Sequence, residues 1–295
     1  MKQTILGAIC LSLAASIWGG MYVVSKYVLD FVPPLTLVWL RFIIAFFVLY
    51  IILKTTEQKH NKKIRIHKRD WFLFAWIGFI GYFISITCQF IGTKLSDAHT
   101  GSLVTSATPA FMVVFAALIL KEKLTARRIF STILATIGVI IVIGWDIEVR
   151  SYFIGTLILV GAAVTWALLS IYVKIASTRF SSLVITTYAI FFSLFFITPC
   201  MIWELQSNPI EHVNIYVLLG ILYLGIISTA GAFFLWNKGL ELMDASIGSL
   251  FFFFQPIVGS LLGWLLLSET LNSNFFIGGT LIIFSVVITT FEKNK

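Results

Sequence analysis

Charge is scarce in this 295-residue chain: Asp, Glu, Lys and Arg together make up 12% of it, and only 13 residues are acidic. No Asp or Glu falls in the middle of an apolar run. That argues against efflux of cationic drugs driven by a buried carboxylate, and it leaves proton coupling without an obvious carrier. Coupling to protons or another ion therefore stays open. Cysteine is rarer still. Cys10, Cys88 and Cys200 are unpaired by spacing and no CxxC occurs, so neither a disulfide frame nor a metal site is expected. His60, His67, His99 and His212 are scattered, with no HExxH and no paired intramembrane acids, which speaks against a membrane-embedded enzyme. GxxxxGK[ST] is missing, so ATP drive would need another chain, and no cofactor is expected.

Apolar residues fill the space that charge leaves. They make up 59% of the chain, and the mean hydropathy is +0.99. A soluble core of this length cannot use that much apolar surface, whereas a protein dissolved in lipid can. A spanning helix needs roughly 20 mostly apolar residues. Ten runs approach that length: 4–28, 35–53, 71–93, 100–120, 129–144, 152–173, 183–203, 213–237, 245–267 and 275–290. Alternating barrel strands are absent, so the runs read as helices. The first is longer than a signal-peptide core and no small-x-small site follows it, so it reads as a span.

Orientation follows from the basic residues. With the N-terminus inside, seventeen of the 21 Lys and Arg fall in inner segments, only Lys26, Lys94 and Arg150 fall outside, and Arg41 lies within a span. Both termini are expected on the cytoplasmic side of the plasma membrane. The net charge of +8 then reflects topology and does not mark a nucleic-acid surface.

One phrase occurs twice: Asp97–Leu103 reads DAHTGSL and Asp244–Leu250 reads DASIGSL. They belong to a longer register. Gly78, Gly92, Leu95, Asp97, Gly101, Pro109 and Glu122 match Gly225, Gly239, Leu242, Asp244, Gly248, Pro256 and Glu269, each 147 residues on. Trp18 with Lys26 is echoed by Trp166 with Lys174. Five spans followed by five is an odd repeat, so the second copy enters the membrane from the opposite side. The expected fold is an all-α integral membrane protein, with ten transmembrane helices as two inverted five-helix repeats over residues 1–147 and 148–295. Inverted repeats are a hallmark of secondary transporters.

The chain resembles the ten-helix, EamA-type members of the drug/metabolite transporter superfamily. The resemblance is carried by Gly92, the Asp97–Leu103 phrase, Pro109 and Glu122-Lys-Leu-Thr125, by their second copies, and by Arg41 in the second span. It implies a small-molecule carrier, often an exporter, with two five-helix bundles around a central cavity. It does not imply a substrate.

The residues themselves suggest where that substrate would sit. Pro109 and Pro256 lie near the middle of spans four and nine and deprive the carbonyls of Thr105 and Phe252 of their helical partners. Such carbonyls must be satisfied by neighbours, water or ligand. The two prolines are hinge candidates or static kinks. Around them, Thr105 and Ser106 make one wall polar and Phe252 makes the other aromatic, with Gln255 beside it, which suits an amphipathic ligand with a planar part. The four phenylalanines or aromatics at 251–254 cover the whole helix circumference, so at least one faces inward. Arg41 would capture an anion, snorkel outward or contact backbone carbonyls. Trp18 and Trp166 would wall the cavity or pack their helices. Tyr82, Gln89, Tyr188, Trp236 and Asn237 are mid-span polar groups that should face the bundle interior, as binding groups or as interhelical glue. The acids Asp97, Glu122, Asp244 and Glu269 lie at span ends and read as helix caps. The functional expectation is a secondary carrier exporting a small amphipathic metabolite such as an amino acid. A drug or lipid-related carrier and a non-transporting membrane subunit are the alternatives.

Overall fold

The computed structural model describes residues 2–59, 66–121, 125–143, 150–210, 213–243, 245–267 and 273–290. Among the described residues every regular element is a helix. Helices α1 (Lys2–Leu29) and α2 (Pro34–Lys59) are continuous. Helix α3 (Lys68–Leu95) contains a π-helical stretch, Gly78–Ser85. Helix α4 is broken into Ala98–Thr105 and Thr108–Ile119. Helices α5 (Ala126–Ile143), α6 (Arg150–Ser177) and α7 (Ser182–Ser207) follow. Helix α8 (Ile215–Leu242) again carries a π stretch, Tyr223–Gly231. Helix α9 runs as Ala245–Gly248, a 3₁₀ turn Ser249–Phe253 and Phe254–Leu267, and α10 is Ser273–Thr290.

Among the described residues seven helices, α1 to α4 and α6 to α8, are long and apolar enough to cross a membrane. In α9 and α10 the apolar stretches, Phe254–Leu266 and Phe276–Ser285, are shorter. The ten crossings expected from sequence are thus met at full length by seven. Large apolar side chains such as Phe47, Leu118, Phe195 and Trp203 stand exposed, a surface that lipid tolerates and water does not.

Helix starts follow local chemistry. The Asp97 carboxylate accepts from the Thr100 N–H at 2.7 Å and caps α4, as its place in the sequence suggests. Asn214 does the same for α8, accepting from the Val217 N–H at 2.9 Å. Asp70 in the first turn of α3 accepts from the His67 N–H at 2.9 Å. Glu122, Asp244 and Glu269 lie outside the described residues, as does the side chain of His99.

The prolines sit differently from mid-helix kinks. Pro109 occupies the first turn of Thr108–Ile119, where its missing N–H costs nothing. Pro256 likewise lies in the first turn of Phe254–Leu267. The Thr105 carbonyl, expected to lack a partner, accepts from the Thr108 hydroxyl at 2.5 Å. Each proline therefore starts a new helical segment behind a break or a tightened turn.

Contacts between helices come in mates related by a shift of five. Helix α1 packs on α8 and α9, and α6 packs on α3 and α4; α2 packs on α7, α4 on α9 and α5 on α10. The match reaches single residues. A Cβ on Gly92 would meet Leu159 at 2.7 Å, and one on Gly239 would meet Leu11 at 2.3 Å. The Lys26 ammonium donates to the carbonyls of Thr93, Lys94 and Ser96 at 3.2, 3.2 and 2.6 Å. The Lys174 ammonium donates to those of Leu240 and Met243 at 2.9 and 2.8 Å. Each lysine closes the last turn of a mated helix, α3 or α8, whose carbonyls would otherwise be orphaned.

Candidate functional site

The apolar packing between α1, α3, α4, α6, α8 and α9 is interrupted by a small cavity of about 20 Å³, room for little more than one water molecule. Its walls are aromatic. Trp18 meets Trp166 edge-on at 5.2 Å, Trp236 at 5.3 Å, and both Phe233 and Phe252 at 5.9 Å between ring centroids. The helices hold these rings in mated places, since Trp18 on α1 and Trp166 on α6 are repeat partners. Trp18 is further fixed by its indole N–H, which donates to the Ser228 carbonyl at 3.1 Å.

One side of the lining is polar, and its hydrogen bonds run in one direction. The Thr105 hydroxyl donates to the Gly101 carbonyl at 2.8 Å, which uses its only proton. Tyr22 must then donate to Thr105, 2.7 Å away. With both hydroxyl protons spent, neighbours can only donate to this pair. The Gln89 amide donates to the Tyr22 oxygen at 2.6 Å and the Gln255 amide to Thr105 at 2.9 Å. Both glutamines are thereby oriented with the carbonyl end left over. Gln89 Oε1 and Gln255 Oε1 have no partner among the described residues, and neither has the indole N–H of Trp166. All three residues line the cavity. A buried polar group left unpaired costs about 1–3 kcal/mol, so two acceptors and one donor await a ligand or water here.

The sequence candidates distribute as follows. Trp18, Gln89, Thr105, Trp166, Phe252 and Gln255 line the cavity. Trp236, Tyr82 and Asn237 form the layer behind it. Trp236 packs on Phe252 at 4.3 Å and donates to the Ser170 hydroxyl at 3.4 Å. Tyr82 stacks on Phe233 at 4.7 Å, and its oxygen accepts from the Asn237 amide at 3.0 Å. Asn237 also donates to the Thr186 hydroxyl at 2.7 Å. Ser106 is buried away from the lining, its hydroxyl donating to the Leu103 carbonyl at 2.6 Å. Tyr188 lies apart, packed on Trp71 at 4.9 Å and Phe74 at 5.7 Å. Of the aromatic run, Phe252 turns inward and Phe254 outward, while the side chain of Phe253 is outside the described residues.

Arg41 is fully buried and sits behind Phe233, 5.7 Å from that ring and 4.8 Å from Phe90. Its guanidinium donates to Thr229 at 2.6 Å and Ser228 at 3.3 Å, within the π stretch of α8. Among the described residues no carboxylate pairs with it. Its charge is held by hydroxyls and ring faces, and it ties α2 to the segment that positions Trp18.

Sequence reasoning did not single out Tyr22, Ser85, Ala163 or Phe233. Tyr22 follows Trp18 by one helical turn and Ser85 precedes Gln89 by one, so the shared faces were a usable signal. Phe233 is one of 28 phenylalanines and carries none.

The pattern of the EamA-like transporter family matches residues 5–144 and 153–291, twice along one chain. The chain belongs to this family. Three relatives align over nearly their whole length. The uncharacterized transporter YetK of Bacillus subtilis (strain 168) is 24% identical over all of this chain and 90% of its own. An uncharacterized transporter of Archaeoglobus fulgidus is 26% identical over 97% of this chain and 99% of its own. YoaV of B. subtilis, also named an uncharacterized transporter, is 23% identical over all of this chain and 99% of its own. A solved crystal structure superposes with a TM-score of 0.71 at 20% identity, covering 96% of each chain, and so shares the fold. As an EamA-like transporter with seven membrane-length helices, the chain is a multi-pass membrane protein that handles a small molecule.

Proposed function

We propose that this protein is a secondary carrier of the plasma membrane that exports an uncharged, planar, amphipathic metabolite by alternating access. In this reading all ten helices cross the bilayer as two inverted repeats, residues 1–147 and 148–295, with both termini cytoplasmic. The mated contacts of α1 with α8 and of α6 with α3 support the repeats, and the basic inner segments support the orientation. Export is the direction that the family resemblance implies.

The observation that carries the reading is the cavity with three unpaired polar atoms. Gln89 Oε1 and Gln255 Oε1 call for N–H or O–H donors, Trp166 Nε1 calls for an acceptor, and the rings around them call for a flat apolar body. No charged side chain is among the lining residues, and Arg41 is spent on α8. A zwitterionic amino acid, the narrower expectation from sequence, would bury two charges there without counter-charges, which is costly. A neutral ring or amide compound would not.

Counterflow into proteoliposomes tests this. Purified protein is preloaded with an unlabelled mixture of neutral heterocycles, amides and amino acids, and uptake of each labelled compound is followed. Uptake of a neutral ring compound, reduced about tenfold or more in Gln255→Leu and in Trp166→Phe, is the expected result. Uptake confined to amino acids would overturn the neutral class, and silence from folded protein across the panel would overturn the carrier reading.

A further inference from the structure

Thr105 ends the first segment of α4, at the break before Pro109. Its hydroxyl proton goes back one turn to the Gly101 carbonyl at 2.8 Å. Tyr22 of α1 reaches that hydroxyl because Gly101 has no side chain; a Cβ there would lie 2.7 Å from the Tyr22 ring. Four polar groups from four helices then stand in one chain of hydrogen bonds. Gln89 donates to Tyr22 at 2.6 Å, Tyr22 to Thr105 at 2.7 Å and Gln255 to Thr105 at 2.9 Å. A carboxamide can bond through either end, since a half-turn exchanges its N–H₂ and its carbonyl. What decides is whether the hydroxyl facing it has a proton to give. Here neither has one, so both amides turn N–H₂ to the hydroxyls and keep their carbonyl ends unpaired.

The repeat does not duplicate this edge. By the shift that pairs Trp18 with Trp166, the mate of Tyr22 is Ser170; by the shift that pairs Pro109 with Pro256, the mates of Gln89 and Thr105 are Trp236 and Phe252. One hydrogen bond does recur: the Trp236 indole donates to the Ser170 hydroxyl at 3.4 Å, which donates to the Trp166 carbonyl at 3.0 Å. An indole has no carbonyl end to leave over, and a phenylalanine ring offers no oxygen. The acceptor edge is therefore built once, around Tyr22 and Thr105, with the unpaired Trp166 N–H lining the same cavity.

We propose that Tyr22 and Thr105 are specificity-determining residues: by holding both glutamine amides one way round, they select a ligand whose buried edge carries two N–H donors beside one acceptor. A primary carboxamide on a flat ring has that pattern, and so has a ring amino group next to a ring nitrogen. An ester of the same shape lacks it and sets acceptors against acceptors. This deepens the reading of the cavity as a site for a neutral ring compound, and it rests on that reading. Tyr22 is not among the lining residues and acts through the groups it orients, Thr105 and Gln89. The space seen here holds little more than a water, so the rings of Trp18 and Phe252 must part as the ligand enters.

The test is binding, which needs no transport. Benzamide and methyl benzoate are matched neutral probes, the first with two N–H donors and the second with none. Each is titrated against the full-length protein in detergent, and affinity is read from the rise in unfolding temperature. The parent is expected to bind benzamide about tenfold or more tightly than the ester, the scale of one unmet buried hydrogen bond. Thr105→Val takes the acceptor from both Tyr22 and Gln255. Tyr22 can then donate to Gln89, both amides are free to turn, and the preference vanishes or inverts. Thr105→Ser keeps the hydroxyl and keeps the preference. Tyr22→Phe frees Gln89 alone and lowers the preference part of the way, which carries the test should the valine variant not fold. Both probes weakened alike, with the preference intact, would make the pair merely structural and overturn the proposal. So would a parent that binds the two probes equally, or a serine variant that behaves as the valine one. A folded parent that binds neither would overturn the neutral-ring reading itself.

Discussion

Glycine 92 shows how little room single residues have where mated helices touch. A Cβ there would lie 2.7 Å from Leu159 Cγ and 2.8 Å from the Gly155 carbonyl. Backbone cannot yield as a flexible side chain can, so Gly92→Ala is expected to destabilise the protein by about 1–3 kcal/mol. Gly161→Ala, with nothing within 4 Å of the new Cβ, should leave stability unchanged. Thermal unfolding in detergent compares the two, and an equal effect would remove the packing argument. At this scale the cavity was partly legible. Gln89 and Gln255 announced themselves because an amide in lipid is expensive, and Trp18 and Trp166 because they repeat. The same cost argument applied to Tyr188 placed it inward, yet an aromatic cluster with Trp71 and Phe74 receives it instead. Arg41 was legible as important and illegible as to role, because hydroxyls on a helix 188 positions away in sequence hold it.

At the scale of elements, the two prolines and the two π stretches stand at corresponding places. The π stretches Gly78–Ser85 and Tyr223–Gly231 contain the paired Gly78 and Gly225, and such departures from α geometry are frequent at functional sites. Proline positions were plain in the sequence; that each opens a fresh segment was not, since at Pro109 it depends on the Thr108 hydroxyl closing the break. Alanine at either position lets the helix run through the break. Pro109→Ala and Pro256→Ala should therefore slow turnover more than they weaken binding, read as maximal rate against half-saturation in counterflow. Equal losses in both, or no change, would leave the prolines as static packing features.

For the whole molecule, the distribution of Lys and Arg predicts the segment 54–69 on the cytoplasmic side and Lys94 outside, the orientation we propose. Single cysteines at Gln58 and at Lys94 should react with an impermeant thiol reagent only after lysis and on intact cells, respectively; the reverse pattern would invert the topology. By itself the sequence determined the class of structure and the repeat, because composition and fixed spacing are properties of the chain before it folds. Only the tertiary structure decided which side chains share the cavity and which ends of Gln89 and Gln255 are left unpaired. Those outcomes depend on hydrogen-bond directions and on contacts between helices far apart in the chain. Spacing along one chain carries no record of either.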